Sequence, residues 1–267
     1  MIPTRSRWAY AYGHLEVTIV VLSPRIPNAA ALLPPGLKLG RQDLTQPGTH
    51  PVMLMFGHHS HVRQWFMPPT AGGSYDEWIV ATPFLERETG DAAPWSYMSR
   101  LYLNRWWYVL LGWMYGYPKK LARTLASDDQ STYIVETFPD GKPRVSMTCQ
   151  VLGPSLPFVA LPRAAKLAPI FQEPFVQRLG PLPWLGSRMW FELDSAIVQP
   201  VAAHFTLADG CAPGLKAMSM DVGSILNGVP GAFHMSCDWM LSRPYLASHL
   251  PKGLRLPVPP DDERPKR

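Results

Sequence analysis

The chain has 267 residues, 46% of them hydrophobic and 17% charged, with a net charge of +5. That length and hydrophobicity exclude a disordered polar protein and suffice for one sizeable core. The 30 prolines exclude a helical bundle or coiled coil, because proline breaks helix interiors, and no Lys/Arg run exceeds two residues, which excludes a nucleic-acid footprint written in charge.

In chain order, Val17–Leu22 predicts a buried strand from its β-branched content. This apolar run is too short for a secretory leader or a membrane span, so no membrane partner is expected. Pro27–Leu33 predicts a short helix stopped by Pro34-Pro35-Gly36. Val52–Phe56 and Ser74–Thr82 predict strands on either side of a turn-rich loop, Met67–Gly73. Leu101–Leu111 predicts a long strand, and the apolar run Tyr108–Met114 extends it. Thr132–Thr137 and Arg144–Val151 flank a hairpin signal at Pro139-Asp140-Gly141-Lys142. Residues 153–187 are Pro-rich and irregular, with one helix near Ile170–Leu179. Trp190–Leu193, Ile197–Leu207 and Ala232–Leu241 predict further strands.

Many short strands and few helices predict one antiparallel barrel or sandwich, a mostly β (α+β) fold. It forms a single domain over residues 1–250, with a frayed, Pro-rich charged tail at 251–267. Cys149, Cys211 and Cys237 are widely spaced and form no CxxC, which predicts reduced thiols in a cytoplasmic protein. The sparse charge predicts surface buried between subunits, hence a homo-oligomer.

The sharpest local feature is Tyr115-Gly116-Tyr117-Pro118-Lys119-Lys120-Leu121-Ala122. Its plainer reading is a solvated lysine pair at a strand end. Its chemical reading is a nucleophilic amine. An ordinary lysine near pKa ~10.4 is only about 0.04% neutral at pH 7, and reaching ~7 requires roughly 4–5 kcal/mol against the ammonium. Burial or a second cation can supply that. Adjacent strand residues point to opposite faces, so on a regular strand Lys120 does not crowd Lys119 and burial must dominate.

The segment Gly116-Tyr117-Pro118-Lys119-Lys120-Leu121 resembles the active-site core of the acetoacetate decarboxylase family. Tyr75-Asp76-Glu77 resembles the family's Tyr-x-Glu strand, and Leu33-Pro34-Pro35-Gly36-Leu37 fits its N-terminal pattern. The resemblance implies a cone-like antiparallel β-barrel with flanking helices, in an oligomer. It implies that Lys119 forms a Schiff base, that Lys120 depresses its pKa, and that Glu77 is the pocket's acidic residue. The implied substrate is a small keto acid or ketone; the implied reaction is decarboxylation of a β-keto acid, or aldol condensation and dehydration by the same lysine. No cofactor is implied.

The sequence departs from the family in its polar positions. The family's Gly-Arg-Glu ahead of the core falls here at Leu111, Gly112 and Trp113. Its carboxylate-binding Arg aligns with His14, and a second pocket Glu with Met53. The implied substrate-binding set is therefore His14, Met53, Tyr75, Trp113 and Tyr117, which favours a larger, more apolar carbonyl compound. A non-catalytic barrel binding such a compound is the alternative from another class.

His58-His59-Ser60-His61 places His59 and His61 on one face of a strand, the geometry of a metal pair. The plainer reading is surface histidines, since Val62–Phe66 holds no acidic third ligand; a further reading has them rim the pocket, because they lie between the first strand and Glu77. The aromatic clusters Trp65-Phe66, Trp95 and Trp106-Trp107 lack basic interleaving and read as packing. No GxSxG, P-loop or GxGxxG sits in a supporting context.

Overall fold

The computed structural model describes residues 9–64, 66–67, 72–89, 94–114, 116–127, 131–137, 141–178 and 183–247. The Pro139-Asp140 half of the hairpin signal, Tyr115, Trp65, most of the 67–73 loop and the 251–267 tail lie outside the described residues. Among the described residues no helix is long and apolar enough to cross a membrane.

Nine strands close into a barrel. They are β1 (Ala9–Leu22), β2 (Val52–Gln64), β3 (Gly73–Arg87), β4 (Trp95–Leu103), β5 (Lys119–Ala126), β6 (Thr132–Thr137), β7 (Pro143–Val151), β8 (Ile197–Leu207) and β9 (Gly231–Ser242). Each pairs with its neighbour in chain order, and β9 returns to β1 to complete the ring. Three α-helices accompany them: α1 (Ile26–Ala30), α2 (Trp106–Met114) and α3 (Ala164–Gln172). The fold is thus mostly β, a single closed barrel, as the strand-rich sequence predicts.

An odd number of strands cannot alternate direction all the way round a ring. One parallel pair is obligatory, and it is β4–β5, in the register Leu101↔Lys119, Tyr102↔Lys120 and Leu103↔Leu121; every other pair in the ring is antiparallel. Parallel neighbours need a crossover of roughly a dozen residues or more, usually carrying a helix. That crossover is α2, and it corrects the sequence expectation of a strand over Leu101–Leu111: the strand stops at Leu103 and Trp106–Met114 is helical. The run Trp106-Trp-Tyr-Val-Leu-Leu-Gly-Trp-Met114 is apolar on every side and has no period to separate helix from strand. The helix expected near Ile170–Leu179 is likewise displaced. It runs over Ala164–Gln172, and Phe175–Gln177 is a short strand parallel to β4.

The period-two alternation of the strands divides their side chains between two cores. One cluster draws on all nine strands, including Val20, Leu54, Phe56, Trp78, Tyr102, Ala122, Val135, Met147, Phe205 and Ala232, and fills the barrel. The alternate residues of β1–β4 and β9, including Leu15, Val17, Met53, Met55, Ile79, Leu101, Phe233 and Trp239, face the other way, and α3 packs over them with Leu167, Ile170 and Phe171. The candidate pocket lies in this second layer.

Candidate active site

The pocket holds about 60 Å³ of free space, enough for several water molecules. Its walls are apolar: Leu15 and Val17 from β1, Met53 and Met55 from β2, Ile79 from β3, and Phe171 from α3 among them. Its polar side chains are His59, Tyr75, Glu77, Tyr117 and Lys119, with the indole of Trp239.

Strand phase delivers these groups. Tyr75, Glu77 and Ile79 share one face of β3, while Asp76 faces the opposite side. There Asp76 accepts hydrogen bonds from His58 Nδ1 (2.7 Å), Asn104 Nδ2 (2.6 Å) and Thr124 Oγ1 (3.0 Å). His59 on β2 is the direct cross-strand partner of Tyr75, so their rings stack at 4.5 Å and 15°. Trp239 packs against the imidazole in a T-shaped contact, ring centres 5.3 Å apart.

Lys119 is aimed by the turn before it. Gly116 takes φ +75°, the left-handed conformation that ends a helix. Its N–H donates to Trp113 O (2.9 Å), and the Tyr117 N–H donates to Gly112 O (3.1 Å), the paired bonds of a Schellman cap. Pro118 cannot continue the helix, and β5 begins at Lys119. The aliphatic stem of Lys119 then lies against Gly112, where a Cβ would overlap Lys119 Cδ and sit 2.6 Å from Cε. The ammonium stands 3.4 Å from Glu77 Oε1, 5.8 Å from the centre of the Tyr75 ring and 5.9 Å from that of Tyr117. The Tyr117 hydroxyl is hydrogen-bonded to Ser187 Oγ.

Three polar groups thus form a chain. Lys119 meets Oε1 of Glu77, and Oε2 of Glu77 meets His59 Nε2 at 3.2 Å. Glu77 and His59 are both nearly inaccessible, 6% and 3% exposed. Burial works to raise the Glu77 carboxyl, but the Lys119 ammonium and the His59 hydrogen bond outweigh it, and the net shift is downward. Burial lowers the His59 imidazole, and Glu77 offsets this only in part. Burial pushes the phenols of Tyr75 and Tyr117 upward, so both stay protonated.

Of the residues expected from sequence, Lys119, Glu77, Tyr75, Tyr117 and Met53 come together in the pocket. Lys120, His14 and Trp113 do not line it. Lys120 pairs with Tyr102 and shares its face, opposite to Lys119; the Arg100 charge and then partial burial lower its pKa. His14 lies on the alternate face of β1 from Leu15, hydrogen-bonded to Asp238 (2.8 Å) and Ser236 (3.0 Å). Trp113 is 47% exposed and reaches the site only through its indole N–H, which donates to Lys119 O at 2.9 Å.

The His59–His61 metal pair, the less plain reading of the cluster, does not form. A register shift between His59 and Val62 puts His61 at φ +54°, exposed and turned to Ser60, while His59 points inward. Among the described residues no His/Cys/Asp/Glu group is arranged to hold a metal. For His59 the surface reading fails and the pocket reading, the weaker one in the sequence, describes where it lies. The signal was present: Met53, Met55, Gly57 and His59 share one strand phase, and that phase is the pocket's.

Among solved structures, the chain is similar to the enduracididine biosynthesis enzyme MppR complexed with the condensation product of pyruvate and imidazole 4-carboxaldehyde: 16% identity, 92% of this chain, 90% of that one, TM-score 0.60. It is similar to an acetoacetate decarboxylase-like enzyme from Sphingomonas wittichii RW1 (14% identity, 91% and 93% covered, TM-score 0.58). It is also similar to acetoacetate decarboxylase from Legionella pneumophila (16% identity, 92% of each chain, TM-score 0.56). No family profile and no curated protein sequence matches the chain. At this level of identity the likeness concerns the fold: the chain has the fold of the acetoacetate decarboxylase-like enzymes over nearly its whole length.

Proposed function

We propose that the protein is a carbon–carbon lyase that activates a carbonyl substrate as an iminium on Lys119. The observation that carries this reading is the single lysine amine held in an apolar pocket 3.4 Å from a buried carboxylate, Glu77. Glu77 takes the proton that the ammonium gives up as the carbonyl enters, which frees the nitrogen lone pair for attack. The amine adds to the carbonyl carbon, the carbinolamine loses water with a proton from Glu77, and an iminium remains.

For a β-keto acid, the bond between the α-carbon and the carboxylate then breaks. Its electron pair moves into the new C=C bond and neutralises the iminium nitrogen, and carbon dioxide leaves. Protonation at the α-carbon and hydrolysis return the ketone and the free lysine. Apolar walls favour this step, because they stabilise neutral carbon dioxide over the carboxylate. We place decarboxylation first and an aldolase-dehydratase second. Among the described residues that line the pocket Lys119 is the only Lys or Arg, so the carboxylate of a keto acid substrate in either reading has no second cation to pair with.

Incubation with acetoacetate and with bulkier β-keto acids, with carbon dioxide release followed against Lys119→Ala, tests the first reading. A pyruvate-plus-aldehyde mixture assayed for condensation product tests the second. Ligand binding that survives Lys119→Ala with neither product formed would instead mark a non-catalytic carbonyl-binding barrel.

A further inference from the structure

An enamine route moves protons at two places. One is the nitrogen and oxygen of the carbinolamine, which Glu77 Oε1 reaches. The other is the α-carbon, which must lose a proton to become an enamine or gain one to leave as product. We propose that His59 is the catalytic residue that transfers this α-carbon proton, acting through Nδ1 with Glu77 as its orienting partner. The proposal rests on the Lys119 iminium reading above and adds to it the group that works at carbon.

The geometry is that of a carboxylate–imidazole dyad. A carboxylate oxygen can only accept, so the 3.2 Å contact between Glu77 Oε2 and His59 Nε2 fixes the proton of the neutral ring on Nε2. Nδ1 is then the bare nitrogen, with a lone pair. It is buried and has no hydrogen-bond partner among the described residues. The ring is packed between aromatic neighbours, stacked on Tyr75 and T-shaped against Trp239. An orphaned basic nitrogen is a cost to the fold, and buried orphans of this kind in native proteins mark chemistry or a missing ligand. Here the ring lines the same pocket as the lysine amine.

The step balances. In the iminium the α-C–H bond breaks, the proton goes to Nδ1, and the electron pair forms the enamine C=C while the nitrogen becomes neutral. The ring becomes an imidazolium beside the Glu77 carboxylate, which stabilises it. After decarboxylation Nδ1 first takes up a proton from solvent, the one that loss of carbon dioxide from a carboxylate consumes overall, and then delivers it to the α-carbon. The same residue therefore serves either reaction considered above.

The test is deuterium exchange at the α-carbon of a simple ketone, acetone or 2-butanone, in D₂O, followed by NMR alongside borohydride trapping of the same ketone on Lys119. In His59→Gln, α-exchange per ketone trapped on Lys119 is expected to fall by about a hundredfold or more, the usual scale of a lost general base. His59→Gly is expected to regain exchange when imidazole is added. Full exchange by a His59→Gln protein that still traps would overturn the proposal. Should both variants fail to fold, ¹⁵N-histidine NMR of the unmodified protein decides: a protonated Nε2 with a bare Nδ1 supports the dyad, and the reversed tautomer overturns it. Absence of trapping in the unmodified protein is a different result, and it removes the iminium reading itself.

Discussion

Gly112 leaves vacant the volume that the Lys119 stem occupies. The helix α2 lies so close to the start of β5 that any side chain at 112 would overlap Lys119 Cδ and crowd Cγ at 2.9 Å. The same helix end holds the Lys119 backbone through the Trp113 indole, so one crossover fixes both main chain and side chain of the candidate nucleophile.

Gly112→Ala is therefore expected to spare the fold and disable the amine. The atoms in the way belong to a flexible lysine stem, which can move aside, and alanine is the better helix former by about 1 kcal/mol. The predicted outcome is an unchanged or slightly raised melting temperature with at least a tenfold slower borohydride trapping. Trapping at the unmodified rate would show that the amine does not need this seat.

Lys120→Ala is expected to leave trapping within about twofold. The resemblance assigns Lys120 to lowering the pKa of its neighbour, yet the strand places it on the other face, beside Arg100. A loss of trapping comparable to that of Lys119→Ala would restore the assigned role.

Much of the site was legible because it is local. Tyr117-Pro118-Lys119 and Tyr75-x-Glu77 carry their chemistry in a few contiguous residues, and the alternation of β3 turns Tyr75 and Glu77 inward together. What was not legible depends on pairing. His14 sits one position out of phase with Leu15, and a single-residue slip in the alignment turns a pocket residue into its opposite. His59 is polar, and only its β2 register with Tyr75 shows that it is buried. The α2 helix follows from the strand count of the closed ring rather than from its own composition.

Glu77→Gln is expected to destabilise the fold by about 3 kcal/mol, as removal of one partner from a buried ion pair does. Urea unfolding at neutral pH measures it. Because the Glu77 pKa is depressed in the folded state, its contribution is present above the unfolded value and is lost as pH falls through the folded one. The variant and the unmodified protein should therefore converge in stability in acid. A constant gap across pH would contradict this.

Glu173 carries the opposite sign. Buried at the end of α3, it accepts hydrogen bonds from Phe84 N and Ser96 Oγ (2.9 Å each), and burial raises its pKa to about 7. The folded state then holds a proton that the unfolded state has shed, so stability falls as pH rises from about 4.5 to about 7 and stays low above it, by about 3 kcal/mol in all. Glu173→Gln is expected to flatten that slope and to melt higher than the unmodified protein at pH 8. A pH-stability curve identical in the two proteins would contradict the assignment.

The central claim is that Lys119 is a reactive amine. The direct measurement is intact-mass analysis after incubation with acetoacetate, pyruvate or a bulkier β-diketone and reduction with borohydride, with the adduct mapped by peptide digestion. The predicted result is one adduct per chain, on Lys119, absent from Lys119→Ala. No adduct at any pH from neutral to mildly basic, or an adduct confined to Lys120, would contradict it.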